Sequence, residues 1–272
     1  MSTWEALAAE FDRWGSSGRP ATLWWRDDDA VAPTPALERM IGLSDTYAVP
    51  LVLAVIPATL TLELGPRIAS STRTHAVQHG WRHENHAAAG TRASEFPEER
   101  APEERAADIA AGYAAVRDLP RFEPYFVPPW NRCTPKLHPQ LAAAGLRGIS
   151  GWGARGTVAD LPHAVHSHSG SADPAFDGPF TVCNTHADII TWKTTRGFVG
   201  EAKVLTELVQ HLAARRTGAA DATEPTGLLT HHLVHDSPSW HFLDRLFQTT
   251  VRHGTVRWLS VGEAFAAAAT VT

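Results

Sequence analysis

The sequence has few of the features that mark secreted, membrane-spanning or disulfide-stabilised proteins. Its two cysteines, Cys133 and Cys183, are too few for a disulfide framework and form no C-x-x-C pair. The longest apolar stretch, residues 50–58, is far shorter than the roughly 20 residues that cross a bilayer. The first residues lack a basic segment followed by an apolar one, which is the pattern of a secretion signal. These absences predict a cytoplasmic protein with no membrane partner.

Basic residues are scarce as well. Lys and Arg number 24 against 29 Asp and Glu, and they form no basic run, so no nucleic-acid partner is expected. Apolar residues make up 43% of the chain and charged residues 19%, which is typical of a globular protein. A chain of 272 residues can bury a large core, and we expect a single catalytic domain over residues 1–272.

Short apolar runs alternate with amphipathic segments along the chain. This alternation is typical of parallel β-strands joined by helices, and seven or eight such units predict an α/β fold, a distorted (β/α) barrel. Two long irregular stretches, residues 84–102 and 161–179, interrupt the alternation and are expected to shape a binding site. An open sheet is the alternative architecture. The candidate strands are residues 22–28, 50–57, 75–79, 125–128, 147–151, 181–190, 227–232 and 256–261.

Acids and histidines follow two of these strands. Residues 27–29 are three adjacent aspartates, which repel one another and are costly to bury unless a cation compensates them. His79 and His83 are four residues apart, a spacing that is common among metal ligands. The alternatives are a solvated acidic turn and a histidine-rich surface loop. Together the two clusters indicate a metal site.

Two further strands end in polar or aromatic side chains. Two prolines stop the strand at 125–128 and fix the backbone that carries Trp130 and Asn131. His186 and Asp188 are two residues apart, so in a strand both face the same side, and Trp192 follows. Taken singly, each of these residues is also compatible with an ordinary packing role.

A fifth strand ends in His231 and His232, either of which could give a proton to a leaving amine. The sequence does not distinguish between the two. In a parallel barrel the carboxyl ends of all strands lie on one face, where the active sites of such enzymes are found. Five polar clusters at five strand ends therefore predict one shared active site.

The order of these clusters resembles the motifs of the polysaccharide deacetylase family, the NodB-homology or carbohydrate esterase family 4 group, over nearly the whole chain. The family motifs are T-F-D-D-G, H-[ST]-x-x-H, a form of F-R-P-P-Y-G, an Asp with a Trp, and L-x-H. The matching residues are 26–30 (Arg-Asp-Asp-Asp-Ala), 79–83 (His-Gly-Trp-Arg-His), 126–131 (Phe-Val-Pro-Pro-Trp-Asn), Asp188 with Trp192, and 229–231 (Leu-Thr-His).

The resemblance implies a NodB-like barrel and a metal-dependent hydrolase that removes an N-acetyl group from an acetamido sugar or a sugar-containing small molecule. It implies Asp28 as catalytic base, His231 as general acid, and Asp29, His79 and His83 as ligands of one divalent metal. Zinc is expected first, and cobalt, manganese, nickel or iron accept the same ligands. The expected partner is a small-molecule or oligosaccharide substrate. Substrate contacts are expected from Trp130, Asn131, His186, Asp188, Trp192 and His232.

The sequence departs from the family pattern at two places that bear on the base. Val127 stands where the family has the arginine that orients the base, and Arg26 or Arg132 could replace it. Asp27 stands where an apolar residue is usual, so the roles of the three aspartates could also shift by one position.

Three other functions remain open from the sequence. The same fold and metal could hydrolyse a non-sugar amide, for example in a nitrogen heterocycle. The missing arginine would suit an inactive sugar-binding barrel. A non-haem iron oxygenase would need His186, Asp188 and a distant histidine such as His235 to form a facial triad.

Overall fold

The computed structural model describes residues 2–155, 180–193 and 196–270. Its helices and strands alternate along most of the chain, as predicted. The helices are α1 (Trp4–Ser16), α2 (Pro35–Tyr47), α3 (Leu64–Ser70), α4 (Pro102–Val116), α5 (His138–Ala143), α6 (Glu201–Thr217), α7 (Ser237–Val251) and α8 (Val261–Ala269). The strands are β1 (Ala21–Ala30), β2 (Leu51–Val55), β3 (Thr74–His79), β4 (Phe122–Val127), β5 (Gly148–Ile149), β6 (Thr181–Val182), β7 (Ala187–Asp188), β8 (Ile190–Thr191), β9 (Gly197–Phe198), β10 (Thr226–Thr230) and β11 (Val256–Leu259).

Eight strands form one parallel sheet in the order β6-β5-β4-β3-β2-β1-β10-β7, and β11 pairs with β1. β1 is the centre of the sheet, because β10 lies along one edge while β11 and β2 share the other. β8 and β9 form a separate antiparallel pair. The sheet is a curled half-barrel with helices around it, which confirms the predicted distorted (β/α) barrel of NodB type. No described helix is long and apolar enough to cross a membrane.

β1 is buried on both faces, as expected for a central parallel strand. Leu23 and Trp25 pack in the large cluster formed with the helices, whereas Trp24 packs with Val52 and Phe265 in a second cluster. Since side chains alternate along a strand, Arg26 and Asp28 share the face of Trp24. Trp24, Arg26 and the predicted base Asp28 therefore lie on the face of β1 that points into the barrel.

Residues 181–190 do not form the single strand that was predicted, and the chain divides into β6, β7 and the start of β8. The backbone N–H of Asn184 donates to Glu224 Oε1 instead of to a neighbouring strand. The N–H of Ile190 donates to the carboxylate of Asp188, a local contact that competes with a ladder. The predicted loop at 84–102 is irregular up to α4, and the predicted loop at 161–179 lies outside the described residues.

Candidate metal centre and active site

The end of β1 contains an irregularity that decides where its aspartates point. The pairing with β2 shifts register between Asp27 and Ala30, and Asp29 has a left-handed backbone with φ of 71°. Such bulges redirect side chains and are common beside active sites. Strict alternation would send Asp29 to the face opposite Asp28, and the bulge instead brings both carboxylates to the carboxyl end of the sheet.

Asp29, His79 and His83 meet at this end of the barrel. Asp29 Oδ1 lies 3.2 Å from His79 Nε2 and 3.4 Å from His83 Nε2. All three ligand atoms fall within 4.8 Å of one another. The structure thus brings together the three predicted ligands, although β1 and β3 are separated by β2 in the sheet.

The hydrogen bonds of His79 suit a metal ligand. Its Nδ1–H donates to the carbonyl oxygen of Val127 at 3.0 Å, which directs Nε2 towards Asp29. Burial opposes ionisation of both groups, yet their contact lowers the pKa of Asp29 well below its usual value and raises the pKa of His79. Their contact thus favours an ionised Asp29 beside a protonated His79, and a divalent cation bound by both groups would take the place of that proton.

A tight turn that begins at Gly80 carries His83 from the end of β3 back to Asp29. Gly80 has φ of +57°, and a Cβ at this position would lie 2.1 Å from Glu95 Oε2. Glu95 accepts hydrogen bonds from the backbone N–H groups of Trp81 and Arg82. Glu95 was not predicted from the sequence, because it lies in the long irregular loop after the second motif. Burial raises the pKa of the Glu95 carboxyl, while the two N–H donors favour its charged form.

Trp130 and Asn131 lie at the end of β4, as predicted, and both have left-handed backbones with φ of 56° and 55°. A left-handed conformation is unusual for a bulky residue and is maintained only where the surroundings require it. The Trp130 ring lies 4.3 Å from the ring of His83. Asn131 accepts a hydrogen bond from Arg26, so it contributes to the wall of the site.

Asp28 is 2% exposed and pairs with Arg26, which is completely buried. His231 Nε2 lies 3.9 Å from Asp28 Oδ2. The Trp192 ring packs edge-on against His231 at 4.6 Å, and its indole N–H donates to Asp188 Oδ2. Burial raises the pKa of Asp188. Asp28, His231, Asp188 and Trp192 thus form a continuous group next to the three candidate ligands.

The two adjacent histidines have different surroundings. The Nδ1–H of His232 donates to Asp27, which also accepts from the hydroxyl of Thr230. Asp27 is 0% exposed and His232 is 1% exposed, so the two side chains form a buried pair between the end of β1 and the residues that follow β10. We therefore assign His232 a structural role, in place of the substrate contact predicted for it, and the geometry favours His231 as the acid.

His186 is not brought to this site, contrary to the sequence prediction. Its ring stacks on His211 with centroids 3.4 Å apart, and its Nε2 lies 3.5 Å from Glu224 Oε2. These contacts lie beside Thr226 at the start of β10. His231 follows the other end of β10, so His186 and His231 lie at opposite ends of this strand. The facial triad of the oxygenase alternative is therefore not formed, because His186 is directed away from Asp188.

His186, His211 and Glu224 are the second group of described side chains whose ligand atoms lie within 4.8 Å. The backbone N–H of Gly227 donates to His186 Nδ1, so the proton of the neutral ring is on Nε2. That nitrogen cannot ligate a cation without losing the proton. Burial also lowers the pKa of both imidazoles, to about 2 for His211. We interpret this group as a buried polar network.

Comparison with solved structures identifies the class of fold. No family model matches the chain, and no curated protein matches its sequence. A putative polysaccharide deacetylase from Mycobacterium smegmatis is similar over 94% of both chains, with a TM-score of 0.60 and 14% identity. The peptidoglycan deacetylase PdaC from Bacillus subtilis is similar over 91% of both, with a TM-score of 0.54 and 12% identity. A family 4 acetyl xylan esterase from Clostridium thermocellum, in complex with a cobalt ion, is similar over 90% of both, with a TM-score of 0.51 and 14% identity. The chain has the fold of the polysaccharide deacetylases and family 4 carbohydrate esterases.

Proposed function

We propose that this protein is a metal-dependent hydrolase that removes an N-acetyl group from an acetamido sugar or a sugar-containing small molecule. The observation that carries the proposal is the meeting of Asp29, His79 and His83 beside the pair formed by Asp28 and His231. The fold shared with sugar and peptidoglycan deacetylases supports the same reaction class.

The donor set fits one divalent ion. A carboxylate and two imidazoles form a three-ligand set of the kind that catalytic zinc sites use, and His79 Nε2 is directed towards the shared position by its bond to Val127. Zinc is our first choice, and cobalt, which one structural neighbour holds, accepts the same donors. When bound, such an ion polarises the acyl oxygen and increases the acidity of water.

The chain itself supplies the proton transfers. Asp28 takes a proton from the attacking water, and His231 gives a proton to the nitrogen as the C–N bond breaks, so that acetate and a free amine are released. His231 Nε2 lies 3.9 Å from Asp28 Oδ2, and this proximity supports the assignment of acid and base to these two side chains. Trp192, which is 45% exposed, provides an apolar face for a sugar ring beside His231.

The deciding experiment measures metal content and acetate release on the same preparations. We expect about one equivalent of metal in the wild-type protein, loss of that metal in Asp29→Ala and His83→Gln, and acetate release from small N-acetylated sugars only where metal is retained. His86→Gln is the matched control, because His86 is an exposed histidine three residues from His83.

The outcomes separate the alternative functions. A protein that holds metal and releases no acetate, but cleaves other amides in a substrate panel, would support the same metal site with a non-sugar amide as substrate. Sugar binding without any turnover would favour an inactive barrel. A wild-type protein that holds no metal even after reconstitution with zinc or cobalt would overturn the proposal.

A further inference from the structure

Arg26 has an unusually complete set of contacts for a completely buried arginine. Its Nε–H donates to Asp28 Oδ1 at 2.8 Å and its Nη2–H to Asp28 Oδ2 at 3.0 Å. The two residues are two apart on β1, so they share one face of the strand and the guanidinium meets the carboxylate side-on. Both carboxylate oxygens are thereby fixed in one plane.

The remaining donors of Arg26 are used by two neighbouring strand ends. Nη1 donates to the hydroxyl of Ser150 at 2.6 Å and to its carbonyl oxygen at 3.0 Å, just after β5. Nη2 also donates to Asn131 Oδ1 at 2.5 Å, just after β4. A guanidinium has five N–H donors, and these contacts occupy all of them. Arg26 therefore has a single orientation, set from three different segments of the barrel.

The strained backbone at the end of β4 is connected to the same contact. Asn131 reaches Arg26 from a left-handed conformation that directly follows left-handed Trp130. Left-handed residues other than glycine are energetically costly and persist where the surrounding contacts require them. The contacts that accompany these conformations are those of Asn131 with the guanidinium and of the Trp130 ring with His83.

We propose that Arg26 is the positioning residue of the catalytic base, holding the Asp28 carboxylate with Oδ2 towards His231. Val127 lines the same internal space as Arg26 and Ser150 but is apolar, so β4 supplies no charge to Asp28 from that position. Orientation of the base thus comes from β1 itself. This inference rests on the proposed function, in which Asp28 is the base.

The test compares Arg26→Met, Arg26→Lys and the double variant Arg26→Met/Val127→Arg. In Arg26→Met we expect kcat to fall about 10²-fold, as for a displaced catalytic group, with KM and metal content nearly unchanged. Arg26→Lys keeps the charge but not the bidentate contact, so only part of kcat returns. In the double variant the new arginine enters the space vacated at position 26, and kcat recovers at least about tenfold.

A matched control separates positioning from general stability. Arg155 is also buried and pairs through Nε and Nη2 with Asp221, away from the site, so Arg155→Met removes a comparable ion pair and should retain kcat. A crystal structure of Arg26→Met should show the Asp28 carboxylate rotated or disordered while Asp29, His79 and His83 keep their positions.

Two results would overturn the proposal. One is an unchanged kcat together with an unmoved Asp28 in Arg26→Met, and the other is a parallel loss of metal and kcat with no rescue by Val127→Arg. If the wild-type protein cleaves no amide, the proposed function fails, and the position of Asp28 in the crystal structure still decides what Arg26 does.

Discussion

The buried pair of Asp27 and His232 leads to a quantitative prediction about stability. In His232→Leu, Asp27 stays 0% exposed and keeps only neutral donors, the Thr230 hydroxyl and the backbone N–H of residue 232. Removing one member of a buried ion pair costs about 3–5 kcal/mol, because the other charge is left uncompensated. Domains are typically stable by only about 5–15 kcal/mol, so the loss is readily measured.

The double variant Asp27→Leu/His232→Leu removes both charges together. Replacing a whole buried pair by apolar side chains is often neutral or stabilising, so its free energy of unfolding should lie within about 2 kcal/mol of wild type. The double-mutant cycle should therefore give a coupling energy of about 2 kcal/mol or more. Asp27→Leu alone leaves an uncompensated imidazole and should be intermediate.

The pH dependence of the coupling follows from the directions of the two pKa shifts. Burial opposes charge on both groups, but His232 lowers the pKa of Asp27 and Asp27 raises the pKa of His232. The contribution of protonated His232 to the free energy of unfolding is complete below the unfolded-state pKa of about 6.5. It is lost as pH rises through the raised pKa of the folded state. The contribution of the Asp27 carboxylate to the free energy of unfolding is present above about pH 4. It is lost as pH falls through the lowered pKa of the folded state. The coupling should be largest between these limits.

Urea unfolding followed by tryptophan fluorescence, at pH 6 and pH 9, measures all four proteins of the cycle. A loss of less than about 1 kcal/mol in His232→Leu, or a double variant as unstable as the sum of the single variants, would contradict a stabilising ion pair between Asp27 and His232.

Three further predictions concern other parts of the molecule. Trp192→Ala removes an indole that packs on His231, so KM should rise about tenfold at constant metal content in steady-state kinetics. Gly80→Ala places a Cβ 2.1 Å from Glu95 Oε2 at φ of +57°, so stability should fall by about 1–3 kcal/mol and bound metal should be lost in elemental analysis. The pKa of His211 is lowered by burial to about 2, so the unfolded state binds more protons below about pH 6.5, and wild-type stability should fall towards pH 5 by roughly 1 kcal/mol per pH unit. His211→Gln should flatten that slope in urea unfolding at pH 5 to 7.

Local patterns were sufficient to predict the barrel and the position of its polar end. Apolar runs that end in Asp, His or Trp mark strand ends wherever they fold, and the parallel order then brings them to one face. The break in residues 181–190 was not predictable, because it depends on Glu224, which lies about 40 residues further along the chain. The same long-range contacts direct His186 away from Asp188, against the alternation expected for a strand.

The contacts around the base required the three-dimensional structure. Arg26 was one of two candidates for orienting the base, and only the distances distinguish it from Arg132, whose Nη1 donates to Ala93 in the loop. Ser150 was not predicted at the site, because it fell inside the candidate strand at 147–151, whereas β5 ends at Ile149. A single serine at a short strand end has no periodic pattern around it.

The three adjacent aspartates are distinguished by what neutralises each of them. Asp27 faces the helices with Trp25 and has the imidazole of His232, while Asp28 faces the barrel interior and has the permanent charge of Arg26. Asp29, which the bulge redirects, pairs within the described part of the chain with His79 and His83, two histidines that can give up their protons. This difference supports Asp29 as the ligand of the proposed cation, since a cation can displace the protons of its histidine partners. This pairing argues against shifting the roles by one position, since a metal ligand at Asp28 would compete with a buried guanidinium, and a base at Asp27 would lie on the wrong face of β1.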